Sequence, residues 1–282
     1  MTSSCITRHI PPSEVAALVL NIQTSGYCVI KSYVLPDNQI SLNVDMEDCF
    51  RKFSANFDTE GYVAPVGIQS VISKDRIINN VFQFHRQVLE MATAGSHLDV
   101  VKPFLNDPFY KLVPKEDPNF ILAQLNARAG RVALPVHVDT RMCTLGPTTW
   151  SLQGYLSLGA THSENGGLQV VPGSHTSGTF PNSMADCPEL LSLSLNSGDL
   201  VLFSSELHHA TTACLPAQSP VWTILFTYRC WWVKKQYDIE LMVPHAWWQE
   251  LTPNQKLIAG ACSRVSCDVY DSSSSRKGYE GL

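Results

Sequence analysis

The pattern of apolar and polar positions changes character near residue 120. Before that point, apolar residues recur every three or four positions, which is the period of a helix with one buried face. The first predicted helix lies between Ser13, its expected N-cap, and Gly26, which ends it. A short strand over residues 27–30 follows, and two further helices are predicted over 36–53 and 75–94.

Short apolar runs replace the helical pattern from residue 120 onward, with Gly, Pro, Asn and Ser between them. The predicted strands cover residues 120–125, 152–158, 168–171, 191–195, 200–203 and 221–228. Such spacing is typical of an antiparallel sandwich or jelly roll, and a last helix is predicted over residues 253–260.

One domain over residues 1–262 is therefore expected, mainly β with flanking helices. A helical N-terminal layer to about residue 119 would pack on a double-stranded β-helix (jelly-roll, cupin-like) core over about 120–232. The Ser-rich residues 263–282 are expected to form a mobile tail.

Composition narrows the classes of function. With 44% hydrophobic and 16% charged residues among 282, the chain is globular. The net charge of −5 includes no basic concentration, so nucleic acid is not an expected partner. No apolar run approaches the roughly 20 residues of a membrane span, and no signal peptide is visible, so a cytoplasmic location is expected. The nine cysteines include no CxxC pair, so reduced thiols are expected rather than a zinc site.

The pair His137 and Asp139 is the most informative chemical feature. Residues two apart on a strand point to the same face, so the imidazole and the carboxylate converge. Two imidazoles and one carboxylate on one face form the site of non-haem Fe(II) oxygenases. By itself, the pair fits an ordinary hydrogen-bonded His–Asp pair at least as well.

The segments around this pair carry a family resemblance. Residues 130–136 read GRVALPV, residues 164–175 read ENGGLQVVPGSH, and residues 198–203 read GDLVLF. In this order and spacing they resemble the phytanoyl-CoA hydroxylase-like family of non-haem iron, 2-oxoglutarate-dependent oxygenases. The resemblance covers about residues 13–260 and is strongest to fungal members that tailor meroterpenoids and alkaloids. It implies a double-stranded β-helix, Fe(II) and 2-oxoglutarate as cofactors, O2, and an apolar small-molecule substrate.

The resemblance also implies a third metal ligand. In the family, the distal His follows the Gly of the GD motif by about eleven residues, which from Gly198 leads to His209. Its neighbour His208 is the alternative. The other candidates are His162, His175 and His245. Fe(II) is expected to be bound by His137, Asp139 and His209.

Two positions depart from the family pattern. The Arg that holds the distal carboxylate of 2-oxoglutarate is replaced by Pro220 or Val221, and the Gln of fungal relatives by Leu134. Arg229 lies eight residues beyond Val221, or ~26 Å along an extended strand, so it cannot simply replace that Arg. The candidates for a substitute cation near the His–Asp strand are Arg128, Arg131 and Arg141.

Three hypotheses follow from these departures. The chain is an active oxygenase with modified 2-oxoglutarate binding, an iron enzyme independent of 2-oxoglutarate, or a degenerate paralogue serving as partner subunit of an active homologue. A homodimer or a heterodimer with such a homologue is expected, because fungal members of the family often dimerise. Aromatic residues that could line a substrate pocket, or simply pack in the core, are Trp150, Phe84 and Trp231.

Overall fold

The computed structural model describes residues 6–55, 75–110, 113–140, 142–146, 148–181, 190–235 and 237–263. Most of the predicted Ser-rich tail, from residue 264 onward, lies outside these ranges, as does Arg141.

The helices and strands of the described residues follow the change in pattern near residue 120. The helices are α1 Pro12–Ser25, α2 Pro36–Ala55, α3 Arg86–Ala94, α4 Leu98–Leu105, α5 Ile239–Met242, α6 His245–Glu250 and α7 Pro253–Ile258. The strands are β1 Tyr27–Ile30, β2 Arg76–Ile78, β3 Phe120–Ala129, β4 Leu134–His137, β5 Ser151–Ser157, β6 Leu168–Val170, β7 Leu191–Ser192, β8 Leu200–Ser204, β9 His209–Thr211 and β10 Trp222–Cys230.

Two antiparallel sheets form the core. The larger has the order β1-β8-β5-β10-β3-β2 and the smaller the order β4-β9-β6-β7. One face of the larger sheet packs against the helices, and the other faces the smaller sheet across a second apolar cluster that includes Leu168, Val170, Val201 and Phe203. This arrangement confirms the predicted jelly-roll fold with flanking helices.

The predicted helix over residues 75–94 is wrong in its first half. Residues Arg76–Ile78 form β2, which pairs with β3, and a single 3-10 turn precedes α3. Asn80 has a left-handed backbone with φ of 53°, which a continuous helix does not allow. Ile78 and Leu89 are both fully buried, so the sequence pattern identified the buried positions but not the period that produces them.

The start of α1 also differs from the prediction. The N-cap is Pro11, without a side-chain cap, and Pro12 occupies the first helical position, where its missing N–H costs nothing. Ser13 therefore lies inside the helix, while Gly26 ends it with φ of +83°, as predicted. None of the helices in the described ranges is long and apolar enough to cross a membrane.

Candidate metal centre

Strands β4 and β9 bring two imidazoles to one side of the smaller sheet. His137 ends β4, His209 begins β9, and the two residues are opposite each other in the antiparallel register. Directly opposed residues of such a pair project to the same side. The two ring centroids are accordingly only 4.2 Å apart.

Asp139 joins the two imidazoles just beyond the end of β4. Its backbone N–H donates to the Ser205 carbonyl at 2.9 Å, which fixes the chain after the strand. One carboxylate oxygen is 3.5 Å from His137 Nε2 and the other is 3.4 Å from His209 Nε2. The three potential ligand atoms lie within 4.8 Å of one another, and the described part of the chain holds no other such group of His, Cys, Asp and Glu.

Backbone carbonyls fix the orientation of both rings. His137 Nδ1 is 2.8 Å from the Pro135 carbonyl, and His209 Nδ1 is 2.9 Å from the Leu207 carbonyl. In each case Nδ1–H donates to the carbonyl, which leaves Nε2 of each ring on the side of Asp139. Metal-binding histidines are usually held by such a second hydrogen bond.

The pKa values of Asp139 and His137 are both shifted in this group. Burial acts to raise the pKa of the Asp139 carboxyl, but the charge of His209 and hydrogen bonds from both imidazoles hold that pKa far below its usual range. Burial acts to lower the pKa of His137, yet hydrogen bonding to Asp139 and its charge raise it overall. Asp139 is thus an anion flanked by two imidazoles, and such a group can hold a divalent cation. Two imidazoles and one carboxylate on one side fit non-haem iron.

A cavity of about 580 Å³ lies over the three residues, between the two sheets. Leu134 and Val221 line one end, while Trp150 and Arg229 line it farther along. Alternate residues from Val221, just before β10, to Arg229 in β10 face the cavity, and this stretch spans ~26 Å at the rise of an extended strand. The volume is within the range of roughly 300–1,000 Å³ for small-molecule sites.

Arg128 is the cation at the Val221 end of the cavity. Its Nε and Nη2 donate to one carboxylate oxygen of Asp75 at 2.9 and 2.5 Å, and the Asp75 side chain is completely buried. Its Nη1 is 3.3 Å from the Thr211 hydroxyl. The Arg128 charge is therefore largely matched, and Nη1 is its most available donor.

Two hydroxyls near Arg128 were not identified from the sequence. Tyr155 and Thr223 line the same cavity, and the Thr223 hydroxyl donates to the Arg128 backbone carbonyl at 3.1 Å. Burial raises the pKa of Tyr155 to about 12, so the phenol keeps its proton as a donor at neutral pH. The two-residue period of β10 that starts at Val221 would have indicated Thr223.

A polar network forms the cavity wall near Asp139. Thr227 donates to the Gln153 side-chain carbonyl at 2.7 Å, and the Gln153 amide donates to Ser205 at 3.0 Å. Ser205 in turn donates to Ser151 at 2.8 Å. This wall therefore presents polar as well as apolar surface to a bound molecule.

Three of the sequence candidates lie away from this cavity. Arg131 is exposed and lines a different cleft, and Arg141 is outside the described residues. Phe84 does not line the cavity, because it packs beside the helical core with its ring centroid 6.0 Å from that of Phe53. Trp231 packs in a separate cluster and donates its indole N–H to Asp107 at 3.0 Å.

The histidine next to the triad has a different environment. His208 Nε2 is 2.8 Å from the Thr179 carbonyl, so its ring turns away from Asp139. His162 Nδ1 accepts from the Glu164 backbone, and His245 begins α6. Of the two adjacent histidines, the structure thus places His209 in the metal group.

A family model described as Phytanoyl-CoA dioxygenase (PhyH) matches residues 22–219. No curated protein sequence matches the chain.

Solved structures with the same fold include two enzymes from nogalamycin biosynthesis, SnoN and SnoK. HygX from Streptomyces hygroscopicus, with nickel and 2-oxoglutarate bound, has 15% identity and a TM-score of 0.59, over 83% of this chain and 92% of that one. The epimerase SnoN, in complex with Fe3+, alpha ketoglutarate and nogalamycin RO, has 14% identity and a TM-score of 0.56, over 79% and 86%. The carbocyclase SnoK from nogalamycin biosynthesis has 16% identity and a TM-score of 0.53, over 76% and 83%.

Proposed function

Because the chain belongs to the phytanoyl-CoA dioxygenase (PhyH) family, we propose that it is a non-haem Fe(II), 2-oxoglutarate-dependent oxygenase that oxidises a secondary metabolite. The observation that carries this proposal is the convergence of His137, Asp139 and His209 on one point at the wall of a cavity. Other metals, zinc among them, accept the same donors, so the choice of iron rests on the family together with the open side of the group.

The roles of the metal ligands follow from their geometry. His137 and His209 would bind the ion through Nε2, because their Nδ1 atoms are engaged by backbone carbonyls. Asp139 would contribute the charge that balances the divalent ion. Bound iron, with 2-oxoglutarate and O2, supplies the oxidation of a C–H bond, while the protein orients the reactants and excludes water.

The Val221 end of the cavity is the proposed place for the distal carboxylate of 2-oxoglutarate. Arg128 offers Nη1 there and Tyr155 offers its phenol, while the Thr223 hydroxyl already donates to the Arg128 carbonyl. Because Arg128 already pairs with Asp75, its attraction for a second carboxylate is reduced. The arrangement supports binding that is weaker than with a dedicated Arg.

A secondary metabolite is proposed as the substrate because SnoN and SnoK are enzymes from nogalamycin biosynthesis. HygX was solved with 2-oxoglutarate and SnoN with nogalamycin RO. The sequence resemblance favours an apolar, meroterpenoid-like molecule. A cytoplasmic location and a homodimer or heterodimer remain predictions from the sequence.

The second candidate function is that of a partner subunit with impaired 2-oxoglutarate binding. Val221 and Leu134 in the cavity favour it, because neither can hold a carboxylate. An iron enzyme that works without 2-oxoglutarate is the remaining alternative. The intact metal group favours an enzyme over a purely supporting subunit.

The test is metal analysis and turnover of protein purified without oxygen and without added metal. An active oxygenase contains iron and, with O2, converts 2-oxoglutarate to succinate and CO2. The variant Asp139→Ala should lose both iron and succinate formation. Zinc as the dominant metal, with no oxygen-dependent succinate formation after iron loading, would contradict the proposal.

A further inference from the structure

The Arg229 side chain lines the metal cavity, and the described part of the chain provides no hydrogen-bond partner for its buried Nε. Arg229 lies near the end of β10, opposite Ser151 of β5, and lines the cavity. Its Nε is buried and makes no hydrogen bond, and the described residues provide no ion pair for this side chain. Burial accordingly lowers its pKa, although the nearby charge of Asp139 opposes that shift.

Arg229 is partly buried, and even partial burial of an unpaired cation is unfavourable, so its position in the cavity requires a reason. Taking a charged group out of water without a compensating contact destabilises the folded protein. Arg128 shows the ordinary solution in this cavity, since it is matched by the buried carboxylate of Asp75. Arg229 lacks an equivalent, because the one carboxylate that acts on it among the described residues, Asp139, belongs to the metal group.

Two neighbouring side chains add further hydrogen-bond donors to this part of the cavity. Trp150 also lines the cavity, and its indole Nε1 is buried without a hydrogen-bond acceptor in the described part of the chain. Trp150 and Arg229 are held together, because the Trp150 carbonyl accepts from the Cys230 backbone N–H at 3.1 Å. Lys234 is exposed and lines the same cavity.

A divalent ion at the triad would leave Arg229 more isolated. The charge of the bound ion would neutralise the Asp139 carboxylate. That carboxylate would then no longer offset the charge of the Arg229 guanidinium. A further anion in the cavity would then restore the balance. The distal carboxylate of 2-oxoglutarate does not fit this role, since Arg229 is separated by eight residues of β10 from Val221.

We propose that Arg229 forms a carboxylate-binding subsite for the substrate, so that the molecule oxidised carries an anionic group in addition to its apolar part. A planar guanidinium suits a carboxylate, because two parallel N–H groups can donate to its two oxygens. This inference rests on the proposed function for the identity of the site as catalytic. It sharpens the expected substrate from an apolar metabolite to an apolar acid.

The test measures binding rather than turnover. Nickel-loaded protein saturated with 2-oxoglutarate is titrated with a panel of alkyl and aryl carboxylic acids of six to sixteen carbons, each paired with its primary amide. Saturation with 2-oxoglutarate blocks the Arg128 end, so an added acid competes for the remaining cavity. Calorimetry or the shift in melting temperature reports binding.

Acids should bind the unmodified chain more tightly than their amides, by about ten- to a hundredfold for the best pair, since a charge-assisted contact contributes about 1.5–3 kcal/mol. Arg229→Gln should abolish the preference, and Arg229→Lys should retain part of it. Arg131→Gln is the matched control, because it removes an exposed Arg outside the cavity and should leave the preference intact. Equal binding of acids and amides, or a preference unchanged in Arg229→Gln, would overturn the proposal.

Stability measurements separate a binding role from a structural one. If Arg229 lacks a partner in the free protein, Arg229→Gln should leave the melting temperature unchanged or raised. A large decrease would show a structural role and contradict the inference. If the protein prefers acids but the iron-loaded form makes no succinate, the subsite stands and the oxygenase proposal fails. If the iron-loaded form makes succinate but the protein shows no preference for acids, the oxygenase proposal stands and the subsite fails.

Discussion

Replacing Val221 by Arg should strengthen the binding of 2-oxoglutarate. Val221 is partly exposed and faces the cavity at the proposed end for the distal carboxylate. Arg128 is the cation already present there, but two of its nitrogens contact Asp75 and Nη1 reaches Thr211 at 3.3 Å. The unmodified site therefore offers less than one full guanidinium to a bound carboxylate.

The size of the effect follows from the added contact. A hydrogen bond to a charged group contributes about 1.5–3 kcal/mol, and each ~1.4 kcal/mol changes affinity tenfold. Val221→Arg should lower the dissociation constant of 2-oxoglutarate by roughly ten- to a hundredfold. Because Arg128 already contributes some affinity, the improvement should be nearer tenfold. Val221→Gln, which adds length and polarity without charge, should change it far less.

Calorimetry with nickel-loaded protein measures this without turnover. The same titration of Tyr155→Phe should show weaker binding, because one neutral donor near Arg128 is lost. Micromolar binding by the unmodified chain, unimproved in Val221→Arg, would refute the reasoning. The cavity would then satisfy the carboxylate fully through Arg128 and its neighbouring hydroxyls.

Three further predictions concern the metal group and the buried charges. In a competitive chelator titration, His209→Ala should weaken metal binding by more than roughly 10–100-fold, which is the loss caused by removing only a hydrogen-bond partner of a metal ligand. His208→Ala should leave metal binding nearly unchanged. Asp75→Asn should destabilise the fold by about 3–5 kcal/mol in urea unfolding, since it leaves Arg128 unmatched, against about 0–1 kcal/mol for Asp238→Asn in the looser pair with Lys235; equal effects would contradict this. Burial lowers the pKa of His97 to about 3, so the unfolded state binds more protons between that value and the ordinary ~6.5, and stability should fall by up to about 1.4 kcal/mol per pH unit on acidification. This part of the pH dependence should disappear in His97→Gln, and an identical pH profile would refute it.

The sequence indicated the metal group because its signals are short in range. The pair His137 and Asp139 was predicted from the two-residue period of a strand, although Asp139 lies just beyond β4, and His209 was predicted from the spacing after Gly198 that the family resemblance implies. The structure adds why His209 rather than His208 faces Asp139: it lies opposite His137 in the register of β4 and β9.

Other features depend on long-range packing that spacing does not reveal. Asp75 meets Arg128 only because β2 pairs with β3, and residues 75–78 were predicted as helix. The directions in which the Phe84 and Trp231 side chains pack likewise depend on residues that are distant in sequence. The distance along β10 correctly separates Arg229 from Val221, yet the same strand period places both on one cavity.

Anaerobic titration of the Fe(II)-loaded protein with 2-oxoglutarate tests the central proposal most directly. Chelation of the iron by 2-oxoglutarate produces a metal-to-ligand charge-transfer band in the visible spectrum. The account predicts that this band appears, that it saturates at lower 2-oxoglutarate concentration in Val221→Arg, and that it is absent in His209→Ala. The oxygenase proposal would be contradicted if iron binds at His137, Asp139 and His209 but no band develops at any 2-oxoglutarate concentration, in the unmodified chain or in Val221→Arg.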